Sequence, residues 1–76
     1  MALDQITNEE ILKDIADTEA EIVQMTQEAE HLEITPHGLP SVRWNHMRAS
    51  VRRNGIAERQ KFIAKLRKIL EERGAR

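Results

Sequence analysis

Ile34-Thr35-Pro36-His37-Gly38-Leu39-Pro40 decides how this chain folds. The stretch holds both prolines and one of the three glycines in 76 residues. Pro36 and Pro40 each push the preceding residue away from αR, and Gly38 permits a positive φ. No helix runs through such a segment, yet the sequence on both sides of it is helical. The stretch is also a charge boundary. Residues 1–40 carry ten acids and one base, Lys13, whereas residues 41–76 carry eleven bases and three acids, Glu58, Glu71 and Glu72. The acid closest to the basic half is therefore its own first half. The pattern predicts an antiparallel helical hairpin: a long acidic helix over about 7–33, a turn at 34–40, and a basic arm folding back.

On the N-terminal side, Thr7-Asn8-Glu9-Glu10 is a helix start. Thr7 is placed to cap, Glu10 completes a capping box, and Ile6 and Ile11 occupy the hydrophobic-staple positions. Ile11, Ile15, Thr18, Ile22, Met25, Ala29 and Leu32 then follow alternating steps of four and three, a heptad seam. Leu12, Ala16 and Val23 widen it, which favours a bundle over a bare two-stranded coiled coil.

On the C-terminal side, Ser41 is a candidate cap. Trp44, Met47 and Val51 have helical spacing and are expected in a core. Asn54-Gly55 then predicts a break, giving helices over about 41–53 and 55–73. Ile56, Ile63, Leu66 and Leu70 form the last stripe, widened by Phe62 and Ile69. Arg73-Gly74 reads as a basic last turn and a helix stop.

The whole is one small all-α domain over residues 1–76. A chain of this size buries only about 60% of its unfolded surface. Small scaffolds usually add disulfides, a metal or self-association, and the absence of cysteine removes the first and all thiolate metal sites. The sequence has no run of ~18 apolar residues to cross a membrane and no signal-peptide pattern. A soluble, cytoplasmic protein is expected.

Candidate sites follow from the charged and apolar stripes. Arg43, Trp44, Arg48, Arg52 and Arg53, with Asn45, His46 and Asn54 among them, could grip phosphate: arginine offers planar donors and tryptophan a stacking ring. The structural alternative has these arginines paired to the acidic helix and Trp44 in the core. His31, Glu33, His37 and His46 are conceivable metal ligands, but they lack any HExxH or paired-Cys spacing, and no cofactor is implied. Catalysis has no support in a strained serine turn or a glycine-rich phosphate loop, so no enzyme is expected.

The apolar residues Ile11, Ile15, Ile22, Met25, Ile56, Ile63, Leu66 and Leu70 are expected to build an interface. The chain would then be an interaction or assembly module that works as a homodimer or higher helical bundle. Alternative partners are another protein's helix, or nucleic acid or a small nucleotide at the arginines. A further alternative is that the acidic helix mimics nucleic acid.

Overall fold

The computed structural model describes residues 6–74. Two helices make up the fold: α1, Asn8–Glu33, and α2, Val42–Glu72. They pack against one another along a body 53 Å long and 17 Å in each cross-section, an antiparallel hairpin without strands among the described residues. Among the described residues no helix is long and apolar enough to cross a membrane.

α1 begins as its sequence dictates. Thr7 is extended (φ −74°, ψ 155°), and its Oγ1 accepts the Glu10 N–H at 3.1 Å. This satisfies one of the orphan donors of the first turn, while Glu9 and Glu10 face the positive end of the helix dipole. The turn then closes with short local bonds. Thr35 Oγ1 donates to the Leu32 carbonyl and accepts from Asn45 Nδ2 at 2.8 Å, pinning the loop to α2. Gly38 sits at φ +98° with nothing near its missing Cβ, so it is the backbone conformation that demands glycine there. Gly74, at φ +75°, terminates α2, donating to the Glu71 carbonyl at 3.0 Å.

Two expectations about α2 are corrected. Ser41 makes no capping bond; it already lies in αR (φ −85°, ψ −6°). A capping side chain works from an extended residue, and the Leu39 carbonyl instead takes the Val42 N–H at 3.1 Å. The predicted break at Asn54-Gly55 is absent, and α2 runs unbroken for 31 residues. Gly55 has a tertiary cause: a Cβ built there would stand 2.7 Å from Met25 Cε on α1. The glycine makes room for the other helix rather than turning the chain.

The hairpin is held differently at its two ends. At the open end, Ile11, Ile15, Ile63, Leu66 and Leu70 form one buried cluster, with Ile6, Ile22 and Ile69 against it. Each large aliphatic side chain buried this way contributes about 1.5–3 kcal/mol. Arg73 closes that end by donating from Nη1 to the Ile6 carbonyl and to Asn8 Oδ1. Toward the turn the buried residues are smaller, Ala29 and Ala49 with Ile56, and side-chain ion pairs span the helices instead.

Candidate functional site

The ion pairs are set by height along the hairpin. Arg52 lies 2.7 Å from Glu28, Arg59 is 2.9 Å from Glu21, and Arg67 is 3.5 Å from Glu19. Arg53 holds Glu33 with two donors, Nε at 3.2 Å and Nη2 at 2.7 Å. The hydrogen bond from Arg53 lowers the Glu33 pKa below the ordinary glutamate value. Partial desolvation opposes that shift, and the charges of Arg53 and His46 add to it. The same bond raises Arg53. The Arg52 Nε, though close to Glu28, points off its oxygen and makes no hydrogen bond.

This pairing divides the arginine segment. Arg52 and Arg53 are bound to α1. Arg43 and Arg48 make no ion pair among the described residues. No acid occurs between Glu33 and Glu58 to offer them one nearby. Arg43 lies in the first turn of α2, which has no acidic residue, so its charge faces the positive end of the helix dipole.

Trp44 lies beside these free arginines and, against expectation, outside any core. It is 64% exposed, and Met47 and Val51 are 51% and 62% exposed. The cause is facing: α2 turns Val42, Asn45, His46, Ala49 and Arg52 toward α1 and the loop, and Trp44, Met47 and Val51 lie on its far side. Ile34 and Leu39 are also exposed in the loop. The turn end thus presents an acid-free surface of Trp44, Met47 and Val51 with Arg43 and Arg48.

The eight residues expected at an interface lie mostly inside the hairpin. Ile11, Ile15, Ile56, Ile63, Leu66 and Leu70 are buried within one chain, while Ile22 and Met25 are half-buried. The apolar residues left for a partner are others: Leu12, Val23 and Phe62 besides those at the turn end. Leu12, Val23 and Phe62 are among the positions that widen the two stripes.

The histidines do not assemble a metal centre. His37 and His46 meet edge to face at 5.4 Å between ring centroids. His46 Nε2 is buried without a hydrogen bond. No cluster of three or more His, Asp or Glu side chains able to hold a metal occurs among the described residues. A shallow groove between the helices is lined by Glu19, Ile22, Val23, Gln60, Ile63 and Arg67, and a second by Gln24, Glu28, His31, Leu32 and Arg52. Both are open clefts beside ion pairs, with no nucleophile and base in hydrogen-bond reach of each other, the arrangement covalent catalysis needs.

Comparison with protein-family models, with characterised proteins and with solved structures gives no match for this chain.

Proposed function

We propose that this protein is a non-enzymatic assembly module of the cytoplasm that works as a homo-oligomeric bundle of helical hairpins. One observation carries this reading. After the hairpin has closed, Leu12, Val23, Ile34, Leu39, Trp44, Met47, Val51 and Phe62 remain about half exposed or more, as many residues as the buried apolar core contains. Apolar side chains left exposed on both sides of the hairpin offer surface for a partner to cover, and a 76-residue chain without disulfides gains most from covering it. Absence of cysteine suits a reducing compartment. Light scattering at low concentration tests the reading: a mass of at least twice 8.8 kDa is expected, and a clean monomer would refute it.

A second reading draws support from Arg43 and Arg48, whose charges α1 leaves uncompensated beside the exposed Trp44. That trio suits a phosphate-bearing ligand, such as nucleic acid or a nucleotide, with Trp44 stacking on a base. An Arg43→Ala/Arg48→Ala variant should then stay folded and lose salt-dependent binding. Arg52 and Arg53 belong to this site only if a ligand displaces Glu28 and Glu33.

A further inference from the structure

We propose that two copies of this chain dock through α2, antiparallel, along a second seam on that helix, so that the turns of the two hairpins point in opposite directions. This rests on the assembly reading above and names the surface that carries it.

α2 carries two stripes of helical spacing. Ala49, Ile56, Ile63, Leu66 and Leu70 are buried against α1. Trp44, Arg48, Val51, Gly55, Glu58 and Phe62 form the other, and their steps again alternate four and three, the pattern of a coiled-coil seam. α1 leaves the side chains of Trp44, Arg48, Val51, Glu58 and Phe62 exposed. Arg48 precedes Arg52 by four residues and Phe62 follows Arg59 by three. The seam therefore opens on the side of the hairpin where Arg52 meets Glu28 and Arg59 meets Glu21. The Arg67–Glu19 pair and the groove beside it lie on the opposite side and take no part.

Reversed, the order of residues along this seam is its own complement. Placed antiparallel about a two-fold axis level with residue 53, Trp44 of each copy meets Phe62 of the other, Arg48 meets Glu58, and Val51 meets Gly55, beside which the Met25 methyl lies. Each contact occurs twice, as a two-fold interface requires. Aromatic faces aromatic, base faces acid, and the branched Val51 faces the residue without a side chain. Sliding one copy by a heptad instead sets Arg48 against Lys65 and Glu58 against Gly55. Running the copies parallel and in register sets Arg48 on Arg48 and Glu58 on Glu58. Both alternatives bring like charges together, which costs association energy. Arg48 makes no ion pair among the described residues. Glu58 has Lys61 at 3.4 Å, in a pair whose side chains are 73% and 71% exposed; so open a pair contributes little, and Glu58 can turn to the other copy. The acidic row of α1 tolerates this arrangement too. Arg52 is level with Glu28 and Arg59 with Glu21, so the axis passes level with about residue 27 of α1. Glu10, Asp14 and Asp17 lie about ten residues or more beyond it toward the open end. The two rows therefore stand about 30 Å or more apart along the dimer, several screening lengths at physiological salt.

The chain has no cysteine, so His37→Cys places a single spin label on the exposed turn. The turn begins about thirteen residues from the axis, so electron–electron dipolar spectroscopy of the dimer should give a separation of about 40 Å. Parallel hairpins would give less than about 25 Å, since packed helices lie ~10 Å apart. A second measurement exchanges charge. Arg48→Glu should weaken self-association about tenfold or more, and adding Glu58→Arg to the same chain should restore it, with helicity unchanged throughout. Arg48 and Glu58 stand about 15 Å apart on their own helix, so such a rescue acts between copies. A dimer with the short separation, or one that Glu58→Arg fails to rescue, overturns this geometry and leaves the assembly reading standing. A protein that light scattering shows to be monomeric overturns both.

Discussion

Gly55→Ala is the sharpest test of how the two helices meet. Glycine inside a helix is about 0.8–1.0 kcal/mol less favourable than alanine, so the substitution starts with that gain. Against it stands the contact across the hairpin: the new Cβ would lie 2.7 Å from Met25 Cε and 3.4 Å from Arg59 Nη1. Both atoms are the ends of long side chains. Met25 is half-buried, and moving its terminal methyl away by about 1 Å costs on the order of 0.3–0.5 kcal/mol in torsional terms. The expected net result is a stabilisation of about 0.5 kcal/mol. In a Met25→Ala background the obstacle is gone, so the same substitution should recover its full ~0.9 kcal/mol. Urea unfolding followed by circular dichroism, at one fixed protein concentration because assembly and folding are linked, measures all four variants of the cycle. A loss greater than about 1 kcal/mol for Gly55→Ala alone would show that Met25 cannot yield and that the backbone itself needs the space. Equal gains in the two backgrounds would show that Gly55 and Met25 are not in contact, and the account of the unbroken helix would fail.

Thr7→Ala removes the hydroxyl that accepts the Glu10 N–H and should cost about 1 kcal/mol in the same unfolding assay. Thr18 is buried as a residue on the seam between Ile15 and Ile22, but the buried polar atoms without a partner are on His46 and Arg52, so Thr18→Val should change stability by no more than about 0.5 kcal/mol in the same assay. The Glu33 pKa is lowered first by its hydrogen bond to Arg53. Its contribution to stability is therefore complete above the ordinary glutamate value and disappears as pH falls through the lowered one. Carboxyl NMR should show Glu33 titrating below the ordinary glutamate value, and Arg53→Gln should return it toward that value.

Much of the hairpin was legible because its signals are local. The Thr7 cap, the seam from Ile11 to Leu32, the positive φ at Gly38 and the stop at Gly74 each depend on residues within a turn or two. The misreadings involve distance. Asn-Gly is ordinary loop chemistry, and only the opposing Met25 explains why Gly55 stays helical. Trp44 has the spacing of a core residue, but Val42, Asn45 and Ala49 offer a rival face at the same spacing, and only the folded pair shows that α2 turns that one inward. Likewise the arginines from Arg43 to Arg53 look alike in sequence. The height of Glu28 and Glu33 in the folded pair separates the two that are held from the two that are free.

The uneven distribution of apolar burial connects stability to assembly. The large aliphatic cluster lies entirely at the open end. The turn half relies on Ala29, Ala49, Ile56 and part-exposed ion pairs, and screened pairs of that kind add little individually. Its uncovered Trp44, Met47 and Val51 are the largest apolar reserve still facing water. A second copy that covers them adds burial where one chain has least, so folding and association should be coupled. For a folded dimer in equilibrium with unfolded chains, raising total concentration a hundredfold stabilises each chain by about 1.4 kcal/mol. In a domain this small that should raise Tm by roughly 5 °C or more. Calorimetry across that range should show the rise in the natural sequence and a smaller one in a Trp44→Ser/Val51→Ser/Phe62→Ser variant. A melting temperature independent of concentration in the natural sequence would mean that the exposed stripe awaits something other than another copy of this chain.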